Sequence, residues 1–289
     1  MNKIIISTDS NCDLPGDICE KYNIPVHPLL YCFDSIIYGA ENKMSTKTFY
    51  ERLRNGERAT TMAVNSEDAK DYFREHIENG NAIIHISFSS ALSCTYQNAY
   101  IAATELLEEY PSAKITIIDS LCASLGQGLL VCKAIIYANE GHNYEEVIDY
   151  IEHIKLNIAH HFTVDSLEHL HRGGRISKSA SIIGNIINIK PLLHMNDSGE
   201  LVPIGKVRGR KTSIMKLASL ATEAINSCPE KNQLIAISHG DCQADAEYLA
   251  DIIKNNTSIS DIIINILSPA IVAHSGPGTL AVFFEADER

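Results

Sequence analysis

A short apolar run that spills into a loop of hydroxyls or glycine recurs along the first half of this chain, and it limits the possible folds more than any other feature. Residues 3–8 (KIIIST) form a continuous β-branched run, the pattern of a strand buried on both faces. Residues 24–33, broken by Pro28, and residues 82–88 and 114–119 repeat it. Helix-length stretches lie between. Ser66 caps a predicted helix over 66–77, with Glu67 and Asp68 at its positive end and Ala69, Phe73 and Ile77 on one face. Gly80 ends it. Further helices are predicted over 93–110 and 124–139, and Asn143 with Glu146 forms a capping box that opens another. Such a βαβ series predicts a mostly parallel sheet with flanking helices.

Near His160 the pattern changes. Strands are expected over 162–165, 191–195 and 201–207, and Asn196-Asp197-Ser198-Gly199 predicts a hairpin between the last two. A helix is expected over 212–226. Strands over 234–238 and 262–267 flank a helix near 244–254, and residues 280–284 read as a final strand. The chain therefore divides into an N-terminal α/β domain, residues 1–157, and a C-terminal α+β domain, residues 158–289.

Composition removes several function classes. Lys plus Arg is 24 and Asp plus Glu is 36, so the net charge is −12. A surface so acidic repels phosphate backbones, and nucleic acid is not an expected partner, although KVRGRK at 206–211 is locally basic. No apolar run reaches the ~18 residues of a membrane span, so stable membrane insertion is not expected. The N-terminal stretch MNKIIISTDS does not read as the h-region of a signal peptide, and a cytoplasmic protein is expected. None of the eight cysteines forms a C-x-x-C pair, and reduced, mostly buried thiols are expected.

In parallel sheets ligands bind at the carboxyl ends of the strands. Here those ends carry Thr8-Asp9-Ser10-Asn11, the run from Ser87 to Thr95, and Asp119-Ser120. The 89–95 loop opens a helix, so it suits an anion, or Ser93 simply caps that helix. Thr60 and Thr61 lie in a predicted loop before the 66–77 helix. His274 follows an apolar, strand-like stretch at 270–273 and precedes Gly276-Pro277-Gly278; it reads equally as a structural histidine or as a ligand to an acceptor in a cleft. Arg175, after Gly173-Gly174, and Arg208 suit anionic groups, or are surface arginines. A G-x-S-x-G elbow, a phosphate-binding G-x-x-x-x-G-K, a G-x-G-x-x-G after the first strand and an H-E-x-x-H are all missing, so no metal, nucleotide or other cofactor is expected.

Six motifs occur in order: Asp9-Ser10-x-x-Asp13-Leu14; Ser89-x-x-Leu92-Ser93-x-Thr95-Tyr96-Gln97; Asp119-Ser120 with Ser124-Leu125-Gly126-Gln127-Gly128; Gly173-Gly174-Arg175-Ile176-Ser177; Lys206-Val207-Arg208; and His274-x-Gly276-Pro277-Gly278. Together they resemble the DegV family of bacterial fatty-acid-binding proteins over about residues 3 to 286. The resemblance implies two α/β domains holding a long-chain fatty acid, with its carboxylate on Thr61 and Ser93 and with His274 near the head group. It also implies a non-catalytic carrier subunit that presents the acid to a separate ATP-using fatty acid kinase, which makes the acyl phosphate. Three departures stand out. Thr61-Met62-Ala63-Val64-Asn65 replaces the usual T-S-Q-P-S, Cys94 replaces the usual Gly after the binding serine, and Ala40-Glu41-Asn42 replaces a common Asp-Gly.

Each buried CH₂ gives ~0.8 kcal/mol, so a sixteen-carbon tail gives on the order of 12 kcal/mol before ordering losses of several kcal/mol. The tail supplies affinity and the head-group contacts fix orientation. Arg175 and Arg208 are then expected to face the kinase or the acyl phosphate, or else to tie the two domains by ion pairs. Two other function classes remain open from the residues. One is a hydrolase or transferase with Ser93 as nucleophile, which needs His274 within hydrogen-bond reach. The other is an anion-binding sensor for a phosphorylated metabolite. A long apolar tunnel favours the carrier, and a shallow polar cleft favours the others.

Overall fold

The computed structural model describes residues 3–177 and 188–289. Four strands, Val26–His27, Ile4–Asp9, Ala82–Ser87 and Ile115–Asp119, lie in that order in one sheet, all parallel. Its central strands are apolar on both faces for the expected reason: Ile83, Ile84 and Ile86 are wholly buried, with helices above and below. A second sheet has six strands in the order Leu201–Arg208, Ile189–Met195, Ile158–Thr163, Leu280–Glu285, Leu234–His239, Asp261–Ile266. All its pairings are antiparallel except the last, which is parallel. The turn at 196–199 closes the expected hairpin.

The expected strand over 24–33 is two strands. Pro28 has no N–H to give a ladder, and the chain leaves the parallel sheet after His27. Leu30–Phe33 instead pairs with Ile36–Tyr38 and with Thr60–Met62 in a third, antiparallel sheet. Thr60 and Thr61 are thus strand residues rather than turn residues. The stretch 270–273 is a helix, Pro269–Ser275, not a strand. Ser268 stands at its N-cap and Pro269 at its first position, where the missing N–H costs nothing. Tyr31 and Phe33 of the small sheet pack with Phe49 of the helix Thr46–Arg54 against Leu267, Val272 and Ala273 beside and within the helix Pro269–Ser275.

The helix Leu125–Asn139 joins the two large sheets. It is mostly apolar, with Gln127 and Lys133 as exceptions in its interior, and ten of its residues are buried. Its Leu125, Leu129 and Leu130 share one core with Ile84 and Ile118 of the parallel sheet and with Phe162 and Phe283 of the six-stranded sheet. All eight cysteines are free, and only Cys94 is exposed.

Candidate functional site

The carboxyl ends of the parallel strands face the six-stranded sheet across a cavity. From the first half it is walled by Asn11, Phe88, Leu92 and Ser93; from the second, by Phe162, Met195, Ile271 and Phe283. About 220 Å³ is open to the centre of a water-sized group. Thr61, Ser93, Arg175 and His274 all line it, although they lie far apart in sequence. Arg208 does not: it ends its strand exposed to solvent.

Thr61 Oγ1 is 2.7 Å from His274 Nε2, across 213 residues. The antiparallel strand Thr60–Met62 and the helix Pro269–Ser275 bring them together. Burial first, and then the Arg175 and Arg172 guanidinium groups, push the His274 pKa down to about 4, so the ring is neutral at pH 7. Gly173 allows this packing, since a Cβ there would sit 2.3 Å from His274 Nδ1. Arg175 Nε donates to the Leu92 carbonyl at 2.9 Å, and its guanidinium also reaches the Gly173 carbonyl. The half-buried guanidinium therefore sits beside Leu92, Ser93 and Cys94.

Ser93 Oγ accepts from Thr95 N–H at 3.2 Å and lies 2.9 Å from Thr95 Oγ1. The hydrogen bond that a Ser93 nucleophile needs is not formed: Ser93 bonds to Thr95, and His274 Nε2 to Thr61. Among the described residues no group of His, Cys, Asp and Glu has the arrangement of a metal site. The cavity walls are mostly apolar, with the polar groups supplied by loops, by the strands Thr60–Met62 and Ile158–Thr163 and by the helix Pro269–Ser275.

Behind the cavity wall lies a polar seam that the sequence did not reveal. Asp13, wholly buried in left-handed backbone (φ 52°), accepts from Ser124 Oγ at 2.6 Å and from Ser268 N–H at 3.0 Å. Ser124 Oγ is also 2.8 Å from Ser238 Oγ. One carboxylate thus ties the first strand's loop to the start of the helix that carries His274. Burial pushes the Asp13 carboxyl up to about 7, against an ordinary 3.8, and Asp9 up to about 6. A carboxyl raised on folding binds its proton more tightly in the native state, so its contribution to stability falls as pH rises from 3.8 to about 7. Asp13→Asn keeps an acceptor for Ser268 N–H, and Asn suits positive φ. The stability of this variant relative to the parent is therefore expected to rise from about pH 4 to about pH 7 and then level off. Thermal melts across that range check this; a constant difference would contradict it.

Asn11 and Ser124 stand in stretches that the sequence singled out, but they and His160 were not named as site residues; they lie in a 3-10 turn, a loop and a strand. Nothing in their spacing marks them; only the position of Asn11 and Ser124 after strand ends does.

The chain matches the model for uncharacterised proteins of the DegV family over residues 3–287. A DegV domain-containing protein of Clostridium perfringens is 41% identical over 292 residues, covering 100% of this chain and 99% of the relative. Among solved structures, a DegV lipid-binding protein from Thermotoga maritima superposes with a TM-score of 0.84 at 27% identity, covering 99% of both chains. A fatty-acid-binding DegV family protein from Streptococcus agalactiae gives 0.87 at 26%, covering 100% of both. This chain belongs to the DegV family.

Proposed function

We propose that this protein is a fatty-acid carrier that binds a long-chain acid in the seam cavity and presents its carboxylate to a separate ATP-dependent kinase. The observation that supports this most is the cavity itself, mostly apolar and bordered by Thr61, Ser93, His274 and Arg175. A lipid-binding and a fatty-acid-binding protein of the same fold agree with it.

In this reading the head group is held by hydroxyls that are themselves held. Neutral His274 donates from Nε2 to Thr61 Oγ1, which leaves the Thr61 O–H to donate to the carboxylate. Ser93 accepts from Thr95 N–H, which leaves its own O–H for the second oxygen. Arg175 supplies a nearby positive charge, partly withdrawn from water. The tail lies along Phe88, Leu92, Phe162 and Phe283.

Native mass spectrometry of the purified protein is expected to show a bound acid of roughly sixteen to eighteen carbons, a tail long enough for stable burial. Delipidated protein is expected to take up such an acid and, with ATP and the kinase, to yield an acyl phosphate. Protein that neither carries nor takes up a fatty acid overturns the proposal. His274→Gln is expected to fold and bind while acyl phosphate formation falls. Full turnover in that variant would remove His274 from the head group.

The two arginines separate by their surroundings. Arg208→Ala is expected to leave melting temperature and fatty acid binding unchanged while phosphorylation by the kinase falls. Arg175→Ala also loses the bond to the Leu92 carbonyl, so a modest stability loss of about 1 kcal/mol accompanies the loss of turnover. Unchanged turnover in both variants would show that neither guanidinium faces the kinase or the acyl phosphate.

A further inference from the structure

Besides Thr61, Ser93, Arg175 and His274, five polar side chains line the cavity: Asn11, Ser124, His160, Ser275 and Thr279. Three of them are satisfied within the protein. Ser124 donates to Asp13. The His160 ring bonds to Ala123 N–H through Nε2 and to the Ile158 carbonyl through Nδ1. Thr279 Oγ1 donates to the carbonyls of Ser275 and Gly276.

Asn11 and Ser275 differ from these three. Asn11 is 3% exposed and Ser275 is 7% exposed, yet Asn11 Oδ1 and Ser275 Oγ have no hydrogen-bond partner among the described residues. Asn11 does not spend its side chain on its own turn, where Asp9 already accepts the Asn11 N–H. Nor does Ser275 turn its hydroxyl back onto its helix. Buried polar groups in native proteins are nearly always paired, so each orphan calls for an explanation, and in a ligand cavity a group on the ligand can be the missing partner. A wall for a plain alkyl chain gains nothing from either group, since Ala or Leu would pack there without a desolvation penalty.

The two orphans are also complementary in kind. Asn11 Oδ1 can only accept, and Ser275 Oγ–H can donate. A hydroxyl does both, whereas a methylene does neither. We infer that the cavity is built for a fatty acid whose chain carries a hydroxyl, with Asn11 and Ser275 as the residues that recognise it. The inference rests on the fatty-acid reading above and names the ligand class within it.

The test uses delipidated full-length protein and competition against a fluorescent fatty acid. The probes are stearate and a set of monohydroxystearates with the hydroxyl moved along the chain. The best-placed isomer is expected to bind about tenfold more tightly than stearate. In Asn11→Leu and in Ser275→Ala that advantage is expected to shrink, and in the double variant stearate is expected to bind more tightly than any isomer. Ser275→Ala is the smaller change and carries the test if the Leu variant does not fold. Stearate binding as tightly as every isomer would overturn the inference alone; that result would mean a water pairs both groups whatever the tail. An advantage that survives both substitutions would overturn the assignment to these residues. Failure of stearate and all isomers to bind would overturn the fatty-acid reading and this inference together.

Discussion

Thr61→Ala combined with Ser93→Ala is expected to weaken fatty acid binding at least a hundredfold while the protein stays folded. In the proposed binding mode each hydroxyl donates to the carboxylate, a bond worth ~1.5–3 kcal/mol, and each single change is expected to cost about tenfold to a hundredfold. The two effects are not expected to add simply, because in that mode both hydroxyls serve one carboxylate. Neither side chain carries core packing: Thr61 and Ser93 are each only partly buried, and both line the cavity. Calorimetric titration of the delipidated variants with palmitate, beside thermal melts, gives both quantities. Parental affinity in the double variant would place the head group elsewhere in the cavity.

The second large effect is structural. Gly126 sits in the buried helix Leu125–Asn139, and a Cβ there would stand 2.1 Å from His160 Nε2 and 2.6 Å from Cε1. The ring cannot simply move aside. It is held by Ala123 N–H at 3.0 Å and by the Ile158 carbonyl at 2.8 Å, and it meets Phe283 edge-on at 5.1 Å. Gly126→Ala therefore forces overpacking, worth ~1–3 kcal/mol, together with a lost buried hydrogen bond, worth ~1–3 kcal/mol. A drop of roughly 5–10 °C in melting temperature is expected, with weaker fatty acid binding as His160 is driven into the cavity. Adding His160→Ala to Gly126→Ala removes the clash, so the pair should lose less than the sum of the single losses. A parental melting temperature for Gly126→Ala would show that the helix and the ring are not in the contact described.

Where local chemistry decides, the structure was legible in the sequence. The unbroken run at residues 3–8 could only be a strand buried on both faces, and Ile4–Asp9 is one. Asn143 and Glu146 form the capping box that their spacing demands. Where pairing is remote, the sequence was silent or misleading. The strand Thr60–Met62 exists because it meets Leu30–Cys32, thirty residues earlier, and no local signal separates it from a turn. The helix Pro269–Ser275 was legible in principle, since Ser268-Pro269 is a helix-start signal, but the apolar run after it outweighed that cue. The Thr61–His274 contact spans 213 residues and has no spacing to read. Only the family resemblance placed the two residues at one site, and nothing in Thr8-Asp9-Ser10-Asn11 marked the Asn11 amide as one left without a partner among the described residues.

One feature of the six-stranded sheet bears on how the protein is made. Leu280–Glu285 is not an edge strand: it lies between Ile158–Thr163 and Leu234–His239 and pairs with both. During synthesis the parallel sheet can form early, because its strands and helices are all in hand by residue 139. The second sheet stays split until the ribosome has released residues 280–285, and its two halves meanwhile expose the apolar surfaces that this strand will join. Ala281 and Phe283 on that strand also wall the cavity. The cavity of the nascent chain is therefore incomplete until residues 280–285 are seated between their two neighbours.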